Sequence, residues 1–279
     1  MKYRVAVGVE SWPALLLAAG VFAVAVSQLD RWRTRNPSPE MEVLLPPFAQ
    51  VTMAWGDPYL AANIGGIRAL VAETGRMTKE NYRVLAAVQR DVARFNPAHE
   101  DNYYIGAAIL PWNGELLAAQ YVLHRAIDSR PFDLWPPFFY GFNIHHFERN
   151  SLEGARWLRV AAQRTQDEQE HFQLEEMAAR WIQLGADPKT AADMLRAMAK
   201  GARNNAFAMH LERMAMRIDN LAAINRAAAA FLARNGRKAT RFEELLSGDR
   251  MTGLKPDPFG GRYGLNADGT AAVVEKEMR

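Results

Sequence analysis

Two prolines, Pro97 and Pro131, stand 34 residues apart, and each closes a helical pattern and opens an aromatic segment, "NPAHEDNYYIGAAIL" and "SRPFDLWPPFFYGFN". Proline fixes φ, lacks an N–H and disfavours helix at the residue before it, so such a spacing punctuates the chain into units of equal length. Between Asp57 and Asp219 the apolar residues recur with helical period. In "DPYLAANIGGIRALVAETG", Asp57 is an N-cap, Pro58 takes the first helical position and the helix is expected to stop near Gly75. In "TKENYRVLAAVQRDVARFNP", Thr78 is the cap and Tyr82, Leu85, Val88, Val92 and Phe95 share a face. Short units of this kind cannot bury an apolar face alone and must stack on their neighbours.

A period of 34 residues is that of the tetratricopeptide repeat (TPR), in which small residues let paired antiparallel helices approach and large ones fill the gaps. With Pro131 set at the terminal proline, Tyr103, Ala107, Leu110, Ala119, Leu123 and Ala126 fall on the large and small positions. The next unit supplies Gly141, Gly154, Leu158 and Ala161, and a third supplies Leu174, Ala178, Trp181, Ala191 and Leu195. The expected fold class is therefore all-α: a TPR-like antiparallel helical-repeat solenoid over 48–220, with a non-repetitive helical bundle as the alternative.

Upstream, residues 11–29 read "SWPALLLAAGVFAVAVSQL", nineteen residues without a charge. As a helix they would cover roughly the 30 Å hydrocarbon core of a bilayer. One transmembrane helix is expected, preceded by a tail over 1–10; a cleaved signal peptide and a buried core helix are the competing readings. Lys2 and Arg4 precede the run and Arg31, Arg33 and Arg35 follow it, which points weakly against export, whereas a short N-terminal tail usually stays cytoplasmic. Residues 30–47 carry four prolines and read as a linker, although "MEVLLPPF" is apolar enough to be an ordered strap. The formal charge of +3, with Lys and Arg scattered among Asp and Glu, argues against a nucleic-acid partner. Zero cysteines exclude disulfides, thiolate metal sites, a Cys nucleophile, c-type haem attachment and a lipoprotein anchor.

The last segment, 221–279, is expected to be a helix-plus-β-hairpin cap. A helix ending at Asn235-Gly236 is followed by a short helix capped by Thr240 and then by "PDPFGGRYGLNADG". Asp257-Pro258 and Gly260-Gly261 permit tight turns, and Asp268-Gly269 between "RYGLNA" and "TAAVV" marks a two-residue hairpin loop.

The stretch "WPPFFYGFNIHHF" followed by "EGARWLRVAAQ", together with the terminal Asp257–Leu265 segment, resembles a group of bacterial, membrane-anchored, tetratricopeptide-like proteins. The resemblance runs over roughly 44–274 and implies a scaffold or assembly role at the cell envelope, with no agreed catalytic residues. The terminal segment also resembles that of type II secretion pseudopilins, whose corresponding loop can bind calcium; Asp257, Asn266 and Asp268 offer oxygen ligands here. Asp and Asn in turns also bond their own backbone, so calcium binding stays open.

Catalytic signatures are few. No serine nucleophile elbow, phosphate loop or dinucleotide fingerprint occurs. Glu168, His171 and Glu175 share a helix face with the spacing of half a di-iron site, which lacks its second half in this sequence. The expectation is a non-catalytic protein with no metal, cofactor or small-molecule substrate. In TPR units the first helix of each pair lines the groove, which assigns Tyr104, Trp112, Trp135, Phe138, Phe142, His145, His146, Phe172 and Glu175 to a partner-binding face. Aromatic side chains give large contact area at low entropic cost, which suits an apolar helix or extended peptide. The expected partner is a protein subunit of a membrane or secretion complex. The expected address is the bacterial inner membrane, single-pass, with the soluble domain periplasmic. A pseudopilin-like component and a metal-dependent helical-bundle enzyme are the alternatives.

Overall fold

The computed structural model describes residues 12–35, 41–246 and 254–274, excepting the side chains at 12, 14, 15, 29–35 and 76. The expected tail over 1–10 lies outside them. Among the described residues the chain is helical apart from one two-stranded antiparallel sheet. It divides into two compact units, Met1–Ser129 and Arg130–Arg279.

The first unit contains α1 (Trp12–Arg35), α2 (Pro47–Met53), α3 (Pro58–Leu70), α4 (Lys79–Phe95), α5 (Glu100–Ile109) and α6 (Leu116–Ser129). Helix α1 is continuous over 24 residues, so the helix runs into the segment expected to be linker. Among the described residues no helix is long and apolar enough to cross a membrane. The expected span falls on α1, and the side chains at both ends of its charge-free run are outside the description. At the end of the linker the apolar segment is packed only in part, since Val43 and Leu44 are exposed. Met41 is fully buried, in one core with Ala69, Leu85 and Leu110, and its carbonyl accepts from Asn81 Nδ2 at 3.2 Å.

Asp57 caps α3 by accepting from the N–H groups of Tyr59 and Leu60. Thr78 and Asn81 form a capping box at the start of α4. Helix α3 stops at Leu70, short of the expected Gly75, because the chain turns into a 3₁₀ segment over Thr74–Arg76. The Tyr82 hydroxyl donates to the Thr74 carbonyl at 2.7 Å and pins that turn. The inner face of α3 is entirely small: Ala61, Ala62, Gly65, Gly66 and Ala69 are its buried residues. A Cβ on Gly65 would lie 2.8 Å from Val92 Cγ2, so the pair "GG" is a close packing point against α4. The large residues of α3 point outward, since Tyr59, Leu60, Ile64, Ile67 and Leu70 are all exposed.

Between α2 and α3, Trp55 has φ +56° and Gly56 has φ +84°. Gly56 N–H donates to the Val51 carbonyl at 2.8 Å and Trp55 N–H to that of Thr52 at 3.1 Å. This is a Schellman C-cap, with Trp at the left-handed position that glycine normally takes. A side chain there costs about 1–2 kcal/mol, and the ring is 96% exposed.

The second unit contains α7 (Trp135–His146), α8 (Ser151–Arg164), α9 (Glu168–Gly185), α10 (Pro188–Lys200), α11 (Asn205–Asn235), α12 (Glu243–Leu246), β1 (Arg262–Leu265) and β2 (Ala271–Val274). Helix α8 packs extensively on both α7 and α9, while α10 lies chiefly on α11 and touches α9 sparingly. Gly141 and Gly154 let α7 and α8 meet backbone to backbone. A Cβ on Gly154 would lie 2.9 Å from the Gly141 carbonyl oxygen, and one on Gly141 2.8 Å from Trp157 Cβ. Each large or small position assigned from the 34-residue period, from Tyr103 to Leu195, is buried. In this unit Leu158, Ala178, Ile182 and Leu195 form one core with Phe207, Leu211 and Ala215 of α11.

Helix α11 runs unbroken for 31 residues through position 220, where a domain boundary is expected, and ends at Gly236 in the left-handed conformation. Its second half carries the terminal module: Ile224 and Ala227 pack with Ala239, Leu245, Phe242, Leu254, Tyr263 and Leu265. Thr240 donates to the Glu244 carboxylate at 2.9 Å, a side-chain contact in place of a backbone cap. The hairpin pairs Leu265 with Ala271. Its loop differs from the two-residue expectation. Asn266 N–H donates to the Thr270 carbonyl and Gly269 N–H to that of Asn266, with Gly269 at φ +85°. This is the three-residue loop in which a type I turn precedes a left-handed glycine.

Candidate functional site

The nine residues expected to line one groove occupy several environments. Tyr104 and Trp112 belong to the first unit, where the Tyr104 ring lies tilted against the buried Tyr103 at 4.5 Å and Trp112 is 58% exposed. The other seven belong to the second unit. At the start of α7, Trp135 meets Phe138 edge-on at 5.6 Å and stacks on Phe139 at 5.8 Å. Trp135 is 41% exposed and Phe132, three residues upstream, is 90% exposed. Asp133 holds this turn. Its carboxylate accepts from Trp135 N–H at 3.0 Å and from Arg130 Nε at 2.7 Å, and Arg164 of α8 donates to the carbonyls of Arg130 and Asp133. An ordered aromatic platform results. Sequence reasoning passed over Phe132 and Phe139, although both lie in the same run "PFDLWPPFFY".

Further along, the expected set divides. Phe138, Phe142 and Phe172 pack against the core of the second unit and so serve as its wall. Phe142 stacks on His146 at 5.4 Å. His145 turns the other way, stacking on Trp181 at 4.0 Å with its Nδ1 3.0 Å from Ser151 Oγ. Burial, helped by the neighbouring His146 and Arg149, lowers the His145 pKa below its ordinary value. His145 is thus a packing residue that ties α7 to α8 and α9. Phe172 meets Phe207 at 4.9 Å.

Glu175 is buried and accepts from Arg159 Nε at 3.3 Å. His171 donates from Nδ1 to the Ala162 carbonyl at 2.8 Å, which fixes its tautomer. Both line a 140 Å³ cavity together with Arg159 and Arg203, and the Arg159 guanidinium already occupies the Glu175 carboxylate that a metal would need. Glu168 is exposed. Among the described residues no group of three His, Cys, Asp or Glu could hold a metal ion. A wider hollow of 510 Å³ is lined by Leu152, Arg156, Ile182, Met194 and Met198. It opens between α8 and α10, the second helices of the expected pairs, and none of the nine expected groove residues lines it.

The possible calcium loop is occupied by a different charge. Arg217 of α11 clamps Asp257 through Nε–Oδ1 at 2.7 Å and a terminal guanidinium nitrogen to Oδ2 at 2.6 Å. Asp257 also accepts from the N–H groups of Gly261 and Phe259. Burial works to raise this carboxyl, but Arg217 and the two backbone donors outweigh it and hold the pKa below the ordinary value. Asp268 accepts from Thr270 within its own turn. The turn chemistry of "DPFGG" therefore seats the hairpin on α11, with the Phe259 ring 4.4 Å beneath the Arg217 guanidinium.

Comparison with protein-family models, with curated proteins and with solved structures returns no match.

Proposed function

We propose that this chain is a non-catalytic, membrane-anchored scaffold or assembly protein whose TPR-like second unit binds another protein subunit of an envelope or membrane complex. The observation that carries the reading is the exposed ring of Trp135, backed by the core-packed Phe138 and by Phe139, ordered by Asp133 and accompanied by the exposed Phe132. Aromatic anchors of this kind dominate the energetics of peptide and helix capture. The repeat reading draws support from the buried positions spaced by the 34-residue period and from the Gly141–Gly154 approach, which gives the small-residue contact that paired helices need.

Anchoring draws support from α1. The charge-free part of α1, residues 12–29, is about 27 Å long at 1.5 Å per residue, and its described apolar side chains, Leu16, Leu17, Val21 and Phe22 among them, are exposed. Lipid is the solvent in which such a surface is stable. A periplasmic position for the second unit belongs to the same proposal.

A photoreactive residue placed at Trp135 or Phe138 in cells tests the partner. One membrane-complex protein should crosslink there and should not crosslink from Leu184, which is also exposed in the second unit. No specific adduct, together with affinity capture from solubilised membranes that yields no stoichiometric protein, would sink the proposal.

A further inference from the structure

The outward face of α3 has no role in the groove, and it is the reverse of an ordinary amphipathic helix. Every small residue of α3 faces the protein, and Leu60, Ile64, Ile67, Leu70 and Val71 are exposed. The spacing of 60, 64, 67 and 71 forms one stripe at helical period. The close seat of Gly65 on Val92 leaves no room for the large side to turn inward. Tyr59 of the same helix, the strained, almost fully exposed Trp55 of the α2–α3 turn and Phe48 of α2 are exposed as well.

Charge is nearly absent from this surface. Between Val43 and Ala72 the chain has two charged residues, Asp57 and Arg68. Asp57 is engaged as the α3 cap, and Arg68 donates to the Val43 carbonyl. An exposed apolar stripe with so little charge in its stretch of chain marks an interaction surface.

Chain length says what is near enough to cover it. From the end of α1 at Arg35 to the buried Met41 is a path of six residues, at most about 21 Å even fully extended. Met41 shares a core with Ala69 of α3. If α1 lies in the bilayer, α3 is held at its surface by covalent geometry. The exposed rings of Trp55 and Tyr59 are of the types that favour the headgroup region.

We infer that the α2–α3 face lies in the lipid headgroup region as an in-plane apolar surface, so that the first unit is docked on the membrane as well as tethered to it. This rests on the reading of α1 as a membrane anchor. The orientation is that of an interfacial amphipathic helix, with its apolar side sunk to the acyl boundary. It also gives a use to the left-handed Trp55, whose conformation holds an indole clear of the protein.

The chain has no cysteine, so single cysteines at Ile64, Ile67, Val21 and Leu117 can each carry an environment-sensitive fluorophore in the full chain reconstituted into liposomes. Three quenchers are compared: a lipid bearing its quenching group near the headgroup, which reads Ile64 and Ile67; a lipid bearing it deep in the acyl chain, which reads Val21 because that residue would lie about 15 Å from either interface of a spanning α1; and aqueous iodide. The expected result is strong lipid quenching and loss of iodide quenching at Ile64 and Ile67, with the opposite at Leu117, an exposed residue of α6. Iodide quenching at Ile64 and Ile67 equal to that at Leu117 overturns the inference. Shielding from lipid and iodide quenchers alike also overturns it, because a protein surface would then cover the face. Val21 separates the two readings. Lipid quenching at Val21 without quenching at Ile64 and Ile67 leaves the anchor and removes the docking, whereas quenching at Ile64 and Ile67 alone supports docking even as the anchor fails.

Discussion

Replacing Asp257 by Asn tests whether the terminal module is held by charge. The wild-type carboxylate has a side chain with no solvent exposure, and its partner Arg217 is 30% exposed. Removing one member of a buried pair costs about 3–5 kcal/mol. Two features reduce that figure here: Arg217 can regain some water, and the Asn carbonyl can still accept from Gly261 or Phe259. A loss of about 2–3 kcal/mol is expected for Asp257→Asn. It should fall on the module first, because the clamp joins the loop to α11 and leaves the larger core of the second unit untouched. Hydrogen exchange can read this at the Ala271 amide, which donates to Asn225 Oδ1 of α11 at 2.7 Å. Exchange there should quicken about 30- to 150-fold, at tenfold per 1.4 kcal/mol.

The pH dependence carries a definite sign. A carboxyl whose folded pKa is depressed contributes stability above its ordinary value of 3.8 and loses it as pH falls through the depressed value. The wild type should therefore undock progressively in acid below about pH 4, and Asp257→Asn should lack that acid step. Exchange at Ala271 within about twofold of wild type would refute the clamp. Asp268→Asn is the control, since Asp268 is exposed, its hydrogen bonds with Thr270 stay within its own turn and its charge faces Lys238, not Arg217.

Gly154→Ala would gain about 1 kcal/mol of helix propensity but lose about 2–3 from overpacking against the Gly141 carbonyl and His145 Cβ, each at 2.9 Å. A lowered Tm is expected, and a raised one would contradict the close α7–α8 approach. Gln89 is fully buried in α4 and its amide has no hydrogen-bond partner among the described residues, so Gln89→Met should stabilise by about 1 kcal/mol in urea unfolding. Because burial lowers the His145 pKa from 6.5, its contribution is present above that pH and is lost as pH falls towards the depressed value. Denaturant midpoints should show an acid decline that His145→Gln removes. Metal analysis of the purified chain should find less than about 0.1 equivalents of transition metal, since a real site binds near stoichiometrically.

Local signals proved the most legible. Asp57 and Thr78 each accept the backbone bonds of an N-cap as expected, since such caps depend on side chains within three residues, whereas Thr240, read as a cap on the same ground, bonds the Glu244 carboxylate instead. The 34-residue spacing also picked out the buried positions, because helix period and chain punctuation are both local. What the sequence left ambiguous was direction. A stripe such as Leu60, Ile64, Ile67 and Val71 announces an apolar face but not which solvent it meets. Here the clue was the complementary stripe of Ala and Gly, which only a close neighbour can use. The aromatic groove failed as a single object for a related reason: Phe138 and Phe142 line a core, Trp135 is partly open, and repeat register alone does not separate those fates. Whether Asp257 was a cation ligand or a turn residue stayed open in the sequence because its partner lies 40 positions away at Arg217, a distance that no local pattern spans.

Helix α11 joins two layers that would otherwise be independent. At 1.5 Å per residue its 31 residues form a rod of about 46 Å. Phe207, Leu211 and Ala215 are sunk in one core and Ile224 and Ala227 in another. An axial twist at either end must carry the far end with it, because no break interrupts the helix. Pulling the hairpin away would strand Ile224, Ala227, Ala228 and Phe231, about two turns of greasy spindle, in water. The closing fold of the chain is thus a keystone for the rod beneath it, and a force applied there would be felt among the helices that carry the aromatic platform.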